Sequence, residues 1–276
     1  FSDIPNMVST PEINIPATDD TKFEIVNKFI RNSQFKEAKI VNIDGIRVEF
    51  EKGWGLLRAS NTSPVLVLRF EADDDKELEI IKDILECARW APSGVNSQPW
   101  QVAVVLEETK NKLANALAKC RANGESSRQD YDYYPTKIEE PYLSRKKACG
   151  KALYTALNIQ KDDIKKRKEQ WMKNYYSFDA PVVLYFFIDE ILETGSWVDC
   201  GMFIQNVMLA ARGLGLETCA QAALAEYPDV VRNILKINDT KKLICGMALG
   251  HANYQDTSYQ YRTEREPVET FTSWFN

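Results

Sequence analysis

The chain has 276 residues, 44% of them hydrophobic and 27% charged, enough apolar material for one large core or two smaller ones. Its net charge is −5 and its basic residues are interspersed with acids, so it carries no electrostatic footprint for nucleic acid or an anionic membrane. The densest basic stretch, residues 161 to 173, is broken by Asp162, Asp163 and Glu169 and reads as the solvated face of a helix.

The longest apolar run, residues 180 to 188, is less than half of what a bilayer-spanning helix needs. With no basic and apolar leader at the N-terminus, a cytoplasmic protein is expected, and a chain opening on Phe1 reads as a fragment or processed product. Cys87, Cys120, Cys149, Cys200, Cys219 and Cys245 form no C-x-x-C pair, so reduced, mostly buried thiols are expected rather than a metal knuckle or dithiol motif. His251 is the only histidine. A histidine-rich zinc site is therefore excluded, and a hydrolytic triad would have to use this one residue.

Along the first eighty residues, Phe23, Val26 and Phe29/Ile30 follow helical spacing behind the possible caps Thr18 and Asp19, predicting a helix over residues 18 to 31. Residues 45 to 50 and 65 to 72 predict β-strands, with Gly53-Trp54-Gly55 and Asn61-Thr62-Ser63-Pro64 as turns. Leu78, Ile81, Leu85 and Ala88 predict a helix over residues 75 to 90, closed by Pro92, which joins two halves without a flexible linker.

Beyond it, residues 101 to 106, 181 to 188 and 243 to 249 read as buried strands. Residues 110 to 122, 146 to 158, 163 to 173 and 197 to 212 read as helices. In the last, Gly201, Ile204, Met208 and Ala211 mark one face, but apolar side chains cover nearly the whole circumference. Such a helix belongs in a large core or an oligomer interface. Gly213 and Gly215 read as helix C-terminal glycines, because Thr218 stands where a G-x-G-x-x-G nucleotide fingerprint needs its third glycine.

The segment from Arg89 to Trp100 carries the densest chemistry. Pro92 and Pro99 stiffen it, Gly94 allows close backbone approach, and Ser93, Asn96 and Gln98 offer hydrogen-bonding groups suited to a polar heterocycle or a phosphate. The same features also suit an ordinary helix-to-strand connection. The loop resembles the flavin-contacting motif of the nitroreductase family, and the likeness continues to the C-terminus. It runs through Glu140-Pro141-Tyr142-Leu143-Ser144-Arg145, Gly150-Lys151-Ala152-Leu153-Tyr154, Phe178-Asp179-Ala180-Pro181, the run from Gly195 to Asn206, and Cys245-Gly246-Met247-Ala248-Leu249-Gly250.

That resemblance implies an α+β homodimer, with a nitroreductase-like central β-sheet flanked by helices, holding two FMN molecules at the subunit interface. NADH or NADPH would reduce the flavin, and nitroaromatics, quinones or similar acceptors would reoxidise it. It further implies that Pro92, Ser93, Gly94 and Asn96 approach the flavin, with Gln98 nearby. Ala220-Gln221-Ala222-Ala223 would direct backbone N–H groups at the ring, and Arg265 would face the phosphate. No side-chain acid or base is then needed, because the cofactor carries the chemistry.

Residues 1 to 81 resemble something else, the C-terminal domain of bacterial phosphomannomutase/phosphoglucomutase enzymes. The runs that carry this are Ser9-Thr10-Pro11-Glu12-Ile13, Asp44-Gly45-Ile46-Arg47-Val48, the stretch from Gly53 to Pro64, and Arg69-Phe70-Glu71-Ala72. A small α+β domain over 1–81 and a flavin domain over 82–276, lacking its usual N-terminal segment, are expected. By this likeness Arg58, Ser60, Asn61 and Thr62 form a loop for the phosphate of a sugar phosphate. Mutase activity itself is not expected, since no T-x-S-H or D-x-D-x-D run occurs, and Asp73-Asp74-Asp75 reads as an acidic helix start.

The family's usual N-terminal arginine and serine grip on the FMN phosphate is absent. Arg69 falls on one of its positions but reads as a surface residue of a strand, while Leu66 and Val67 occupy the neighbouring ones. Weak FMN retention is therefore expected. The alternative is a non-catalytic sugar-phosphate-binding module on a flavin-deficient scaffold.

Overall fold

A computed structural model describes residues 7–9, 13–32, 35, 38–50, 53–73 and 75–275. Of the sequence features above, Thr10 to Glu12 and Asp74 lie outside these residues. The chain divides into two compact units, Phe1–Asp83 and Ile84–Asn276.

In the first unit, β1 (Met7–Ser9), β2 (Ile13–Pro16), α1 (Lys22–Asn32), β3 (Lys39–Val41), β4 (Ile46–Phe50), β5 (Gly53–Ala59) and β6 (Val65–Asp73) follow in order. The strands form an antiparallel sheet in the order β1-β6-β5-β4-β3, with β2 also paired to β6. The apolar side of α1 reaches this sheet through Val26, which is buried with Ala59 and Leu66 and flanked by Ile30, Leu57 and Leu68. Gly53-Trp54-Gly55, expected as a turn, instead opens β5, with Gly55 paired to Val48 on one side and Phe70 on the other. The glycine pair mimics a turn in sequence, but two flanking strands supply the ladder. Gly45 is a turn glycine of necessity: its φ is +121°, and a Cβ there would lie 2.3 Å from the Leu57 carbonyl oxygen.

In the second unit, α2 (Asp75–Ala88), which spans the division, leads to β7 (Gln101–Val105), α3 (Glu107–Ala122), α4 (Tyr142–Ala156), α5 (Ile164–Met172) and β8 (Val182–Asp189). Then come α6 (Thr194–Gly213), β9 (Glu217–Gln221), α7 (Pro228–Leu235), β10 (Lys241–Gly250) and two single turns, α8 (Thr257–Gln260) and α9 (Val268–Phe271). The sheet is antiparallel, in the order β7-β8-β10-β9. Alternation along β8 explains its continuous apolar run: Tyr185 and Phe187 enter a core with Leu113, Leu117, Tyr227 and Val231, while Phe186 meets Phe203 of α6 edge-on at 6.3 Å. Helices cover both faces, as the fold class anticipated, and a fully buried aromatic contributes roughly 1.5–3 kcal/mol.

Two further expectations are corrected. The buried stripe of α6 is Cys200, Phe203, Val207 and Ala211, together with Asp199, whereas Gly201 is exposed and Ile204 and Met208 are half-buried. A helix apolar on nearly every side gives periodicity little to discriminate. Nor are the thiols mostly buried: all six are free, Cys200 and Cys245 are buried, and Cys87, Cys149 and Cys219 are exposed. His251 and Arg69 lie on the surface, and most of the basic stretch around α5 is solvated as expected. No helix among the described residues is long and apolar enough to cross a membrane.

Candidate functional site

The Arg89 to Trp100 segment leaves α2 at Ala88 and turns through a single 3-10 turn, Gly94–Asn96, before Gln101 opens β7. Its conformation is strained. Val95, Asn96 and Gln98 all have positive φ, at 48°, 59° and 47°, and a β-branched residue such as Val95 rarely adopts it. The Val95 side chain is fully exposed, so its own packing does not hold that conformation.

Three contacts do. Inside the loop, the Gln98 N–H donates to Ser93 Oγ at 3.0 Å. From outside it, Asp199 of α6 accepts the Gly94 N–H on Oδ2 at 3.1 Å. At the loop's exit, Pro99 is buried and the Trp100 ring stacks on Phe203 with centroids 4.8 Å apart and planes 7° from parallel. Asn96 and Gln98 face outward, Ser93 is half-buried, and Pro92 is exposed. The Gln98 side chain reaches back to the Asn96 carbonyl at 3.4 Å.

Gln221 ends β9, paired with Gly246 of β10, and the chain then enters a 3-10 turn over Ala222–Ala225. Such a turn leaves its leading N–H groups without partners inside it. Ala222 and Ala223, which carry those groups, are half-buried. The Gln221 side chain is only 3% exposed and points into the protein, its Nε2 donating to the Asn174 carbonyl at 2.9 Å and to Asn174 Oδ1 at 3.2 Å. Its contribution to a ligand is thus confined to the backbone, and its buried Oε1 finds no hydrogen-bond partner among the described residues.

Arg265 is exposed, and its guanidinium folds over its own segment, donating to Thr263 Oγ1 at 2.6 Å and to the Glu264 carbonyl at 3.0 Å. The neighbouring Glu266 accepts from Arg145 of α4 at 2.9 Å, which ties this C-terminal stretch to the unit.

The register relates the two flavin-motif segments. Gln101 aligns with Phe187, Phe187 with Leu243, and Gln221 with Gly246, so the loop entering β7 and the turn leaving β9 lie at the same end of the sheet. They occupy its opposite edges, roughly 14 Å apart over three strand spacings. Among the described residues, no hydrogen bond or ion pair joins the loop to Gln221, Ala222 or Arg265.

The buried thiols of α6 and β10 are held in their neutral form. Burial, with the Asp199 carboxylate beside it, pushes Cys200 up to about 12, and burial together with Cys200 pushes Cys245 up to about 12. Among the described residues no group of three histidine, cysteine or carboxylate side chains could hold a metal.

In the first unit, Ser60 is buried, and its Oγ accepts the N–H groups of Thr62 and Ser63 at 3.3 and 3.2 Å, which holds the β5–β6 loop in a tight turn. Lys22, a residue the sequence reading passed over, is buried beneath the loop and donates to Asp19 at 2.6 Å and to the Ser63 carbonyl at 3.1 Å. Arg58 stands at the loop's start, 3.5 Å from Asp44, with Asn61 and Thr62 exposed.

The strained, proline-framed loop and the backbone turn share one end of a helix-covered antiparallel sheet, and the chain's likeness to known proteins makes it an oxidoreductase of the nitroreductase type. Residues 69–251 match the Nitroreductase family, and the chain belongs to that family. It is 35% identical over 203 residues to nitrobenzene nitroreductase of Ectopseudomonas oleovorans, covering 73% of this chain and 89% of that protein. It also matches the crystal structure of the FMN and NADPH-dependent nitroreductase NfnB from Sphigopyxis sp. strain HMH. That match has a TM-score of 0.70 at 34% identity, over 72% of this chain and 90% of that one.

Residues 12–86 separately match the phosphoglucomutase/phosphomannomutase C-terminal domain. Over 84 residues the chain is 57% identical to phosphomannomutase/phosphoglucomutase of Pseudomonas putida, and it spans 18% of that enzyme's length.

Proposed function

We propose that the chain passes hydride from NAD(P)H through FMN to nitroaromatic acceptors and, by the same route, to quinone-like ones. The observation that carries this reading is Gly94. Its φ lies outside the left-handed region, and a Cβ on it would meet nothing closer than Asp199 Oδ2 at 3.9 Å, so the chain's own packing does not demand a glycine there. The bare backbone leaves room for a flat ligand to approach a rigid edge.

The residues present fit FMN on its ring side. Pro92, Ser93, Gly94 and Asn96, with Gln98 beside them, form a stiff polar rim, and the leading N–H groups of the Ala222–Ala225 turn offer donors where reduced flavin gathers charge. Arg265 supplies the phosphate's counter-charge once its guanidinium turns away from Thr263 and the Glu264 carbonyl, and no arginine and serine pair supports it from residues 66 and 67, which are Leu66 and Val67. When bound, FMN supplies reversible two-electron hydride chemistry. Balanced for a nitro group, the first turnover consumes one NAD(P)H and one proton and releases the nitroso product and water. The protein's share is to orient the reactants and hold the loop, and no side chain is asked to act as acid or base.

The protein works as a homodimer in this reading. Loop and turn are separated within one chain by two intervening strands, and the outward side of α6 carries exposed Val198 and Leu209 beside Gly201, an apolar surface suited to a second copy. Residues 1–81 form a phosphomutase-like domain and 82–276 the flavin domain, in a cytoplasmic setting. Anaerobic mixing of FMN-loaded protein with NADPH, followed by nitrobenzene, tests the function. Bleaching and then recovery of flavin absorbance, with nitrobenzene consumed, are expected. Flavin that stays oxidised would refute it.

A second reading rests on the ordered Ser60 turn, which presents Arg58, Asn61 and Thr62 around a backbone already held in shape. In it, the first unit binds a sugar phosphate without turning it over and the scaffold holds no flavin.

A further inference from the structure

The loop that carries the flavin motif is held by a residue outside the motif. We propose that Asp199 is a positioning residue whose carboxylate, through the Gly94 N–H, keeps the residue 92–98 loop in its ligand-binding conformation. The proposal deepens the FMN reading above and rests on it.

Four observations converge. The 3-10 turn over Gly94–Asn96 receives no side-chain cap from the residue that precedes it: Ser93 is extended, at φ −147° and ψ 150°, and its hydroxyl is instead engaged by the Gln98 N–H. A local cap would normally satisfy such a leading donor. Here the acceptor comes from 105 residues away, on another element. Next, the loop contains three non-glycine residues at positive φ, and conformations of that kind persist only where the surroundings over-determine them.

Then, Asp199 is 9% exposed on a helix whose neighbouring positions, Cys200 and Phe203, are buried and apolar. A carboxylate placed there is costly unless it is hydrogen-bonded, and a charge-assisted bond to a backbone N–H is among the stronger ones available. Finally, α6 touches the loop at its other end as well, because Phe203, one turn along from Asp199, stacks on Trp100. Asp199 and Phe203 thus clamp the loop's start and exit to a single rigid helix, which fixes the loop as a unit instead of at one point.

The measurements are amide hydrogen exchange at Gly94, FMN affinity by fluorescence titration, and thermal melting, on the parent, Asp199→Ala and Asp199→Asn. In Asp199→Ala, Gly94 exchange is expected to accelerate about tenfold, the order of a lost helix cap. FMN affinity should fall by a similar factor, while kcat at saturating FMN stays within about threefold. Asp199→Asn keeps the shape and one acceptor oxygen, so it should restore most of both. A side chain that served stability alone would lower the melting temperature and leave FMN affinity and kcat unchanged.

Should Asp199→Ala fail to fold, Asp199→Ser, with a hydroxyl too short to reach Gly94, takes its place. Gly94 exchange at the parent rate in the truncated variants would overturn the proposal, as would FMN affinity within twofold of the parent. A parent protein that binds no FMN refutes the cofactor reading instead, and the Gly94 exchange rates, which need no ligand, still decide the brace.

Discussion

Gly246 on β10 and Leu224 in the turn after β9 sit so close that a Cβ on the glycine would lie 2.4 Å from Leu224 Cδ1 and 2.7 Å from Leu224 Cβ. The missing side chain lets the Ala222–Ala225 turn, with its donor N–H groups, settle directly onto the central sheet. Leu224 and Ala225 are fully buried there.

Gly246→Ala should therefore lift that turn off the sheet. Overpacking of this kind costs roughly 1–3 kcal/mol, and the displaced N–H groups should weaken FMN binding. Denaturant unfolding and FMN titration of the same variant check both, and an unchanged FMN affinity would mean that the turn does not serve the ligand.

Phe203 is buried between Trp100 on one side and Phe186 on the other. Phe203→Ala removes the surface that seats the loop's exit, and a loss of about 3–5 kcal/mol is expected. Phe203→Leu keeps most of the volume and should lose far less. Equilibrium unfolding of both variants, followed by circular dichroism, checks the difference.

The buried thiols set a pH dependence. Cys200 and Cys245 are each pushed up to about 12 in the folded chain, whereas a free thiol ionises near pH 8.5. Both are neutral below pH 8.5 in either state, so their stabilising contribution is fully present there. Above it only the unfolded chain ionises. Stability should fall as pH rises from about 8.5 toward 12, with a slope of up to about 1.4 kcal/mol per pH unit from each thiol. Unfolding measured across that range should flatten in Cys200→Ala and Cys245→Ala, and a thiol reagent at neutral pH should reach Cys200 and Cys245 only after denaturation.

Binding of glucose 1-phosphate that vanishes in Arg58→Ala is the expectation of the sugar-phosphate reading, with calorimetry as the check. Lys22→Met, which removes the ammonium holding the Ser63 carbonyl, should weaken the same binding and lower the melting temperature. No binding by the parent chain would remove that reading.

What could be read in advance tracks how local each feature is. The loop at Pro92 to Pro99 was legible because two prolines announce their backbone constraints directly, whereas the positive φ of Val95, Asn96 and Gln98 was not. The strands β8 and β10 were legible from continuous apolar runs. The short edge strand β9 was not, since Glu217-Thr218-Cys219-Ala220-Gln221 has no apolar alternation and takes its pairing from β10 alone. Asp199 was missed for a related reason. Its role depends on Gly94, far away in sequence, and the one available signal was a carboxylate standing at a buried position of an otherwise apolar helix. Lys22 gave no such signal, because α1 is polar along much of its length and only the structure shows that side chain buried.

The most direct test of the whole account is an FMN titration of the purified apoprotein, monitored by quenching of flavin fluorescence, with NADPH added anaerobically at the end. One FMN is expected to bind per chain, held weakly for want of an N-terminal phosphate grip, and to bleach when NADPH is added. A chain that remains colourless and leaves FMN fluorescence unquenched at every concentration would contradict it.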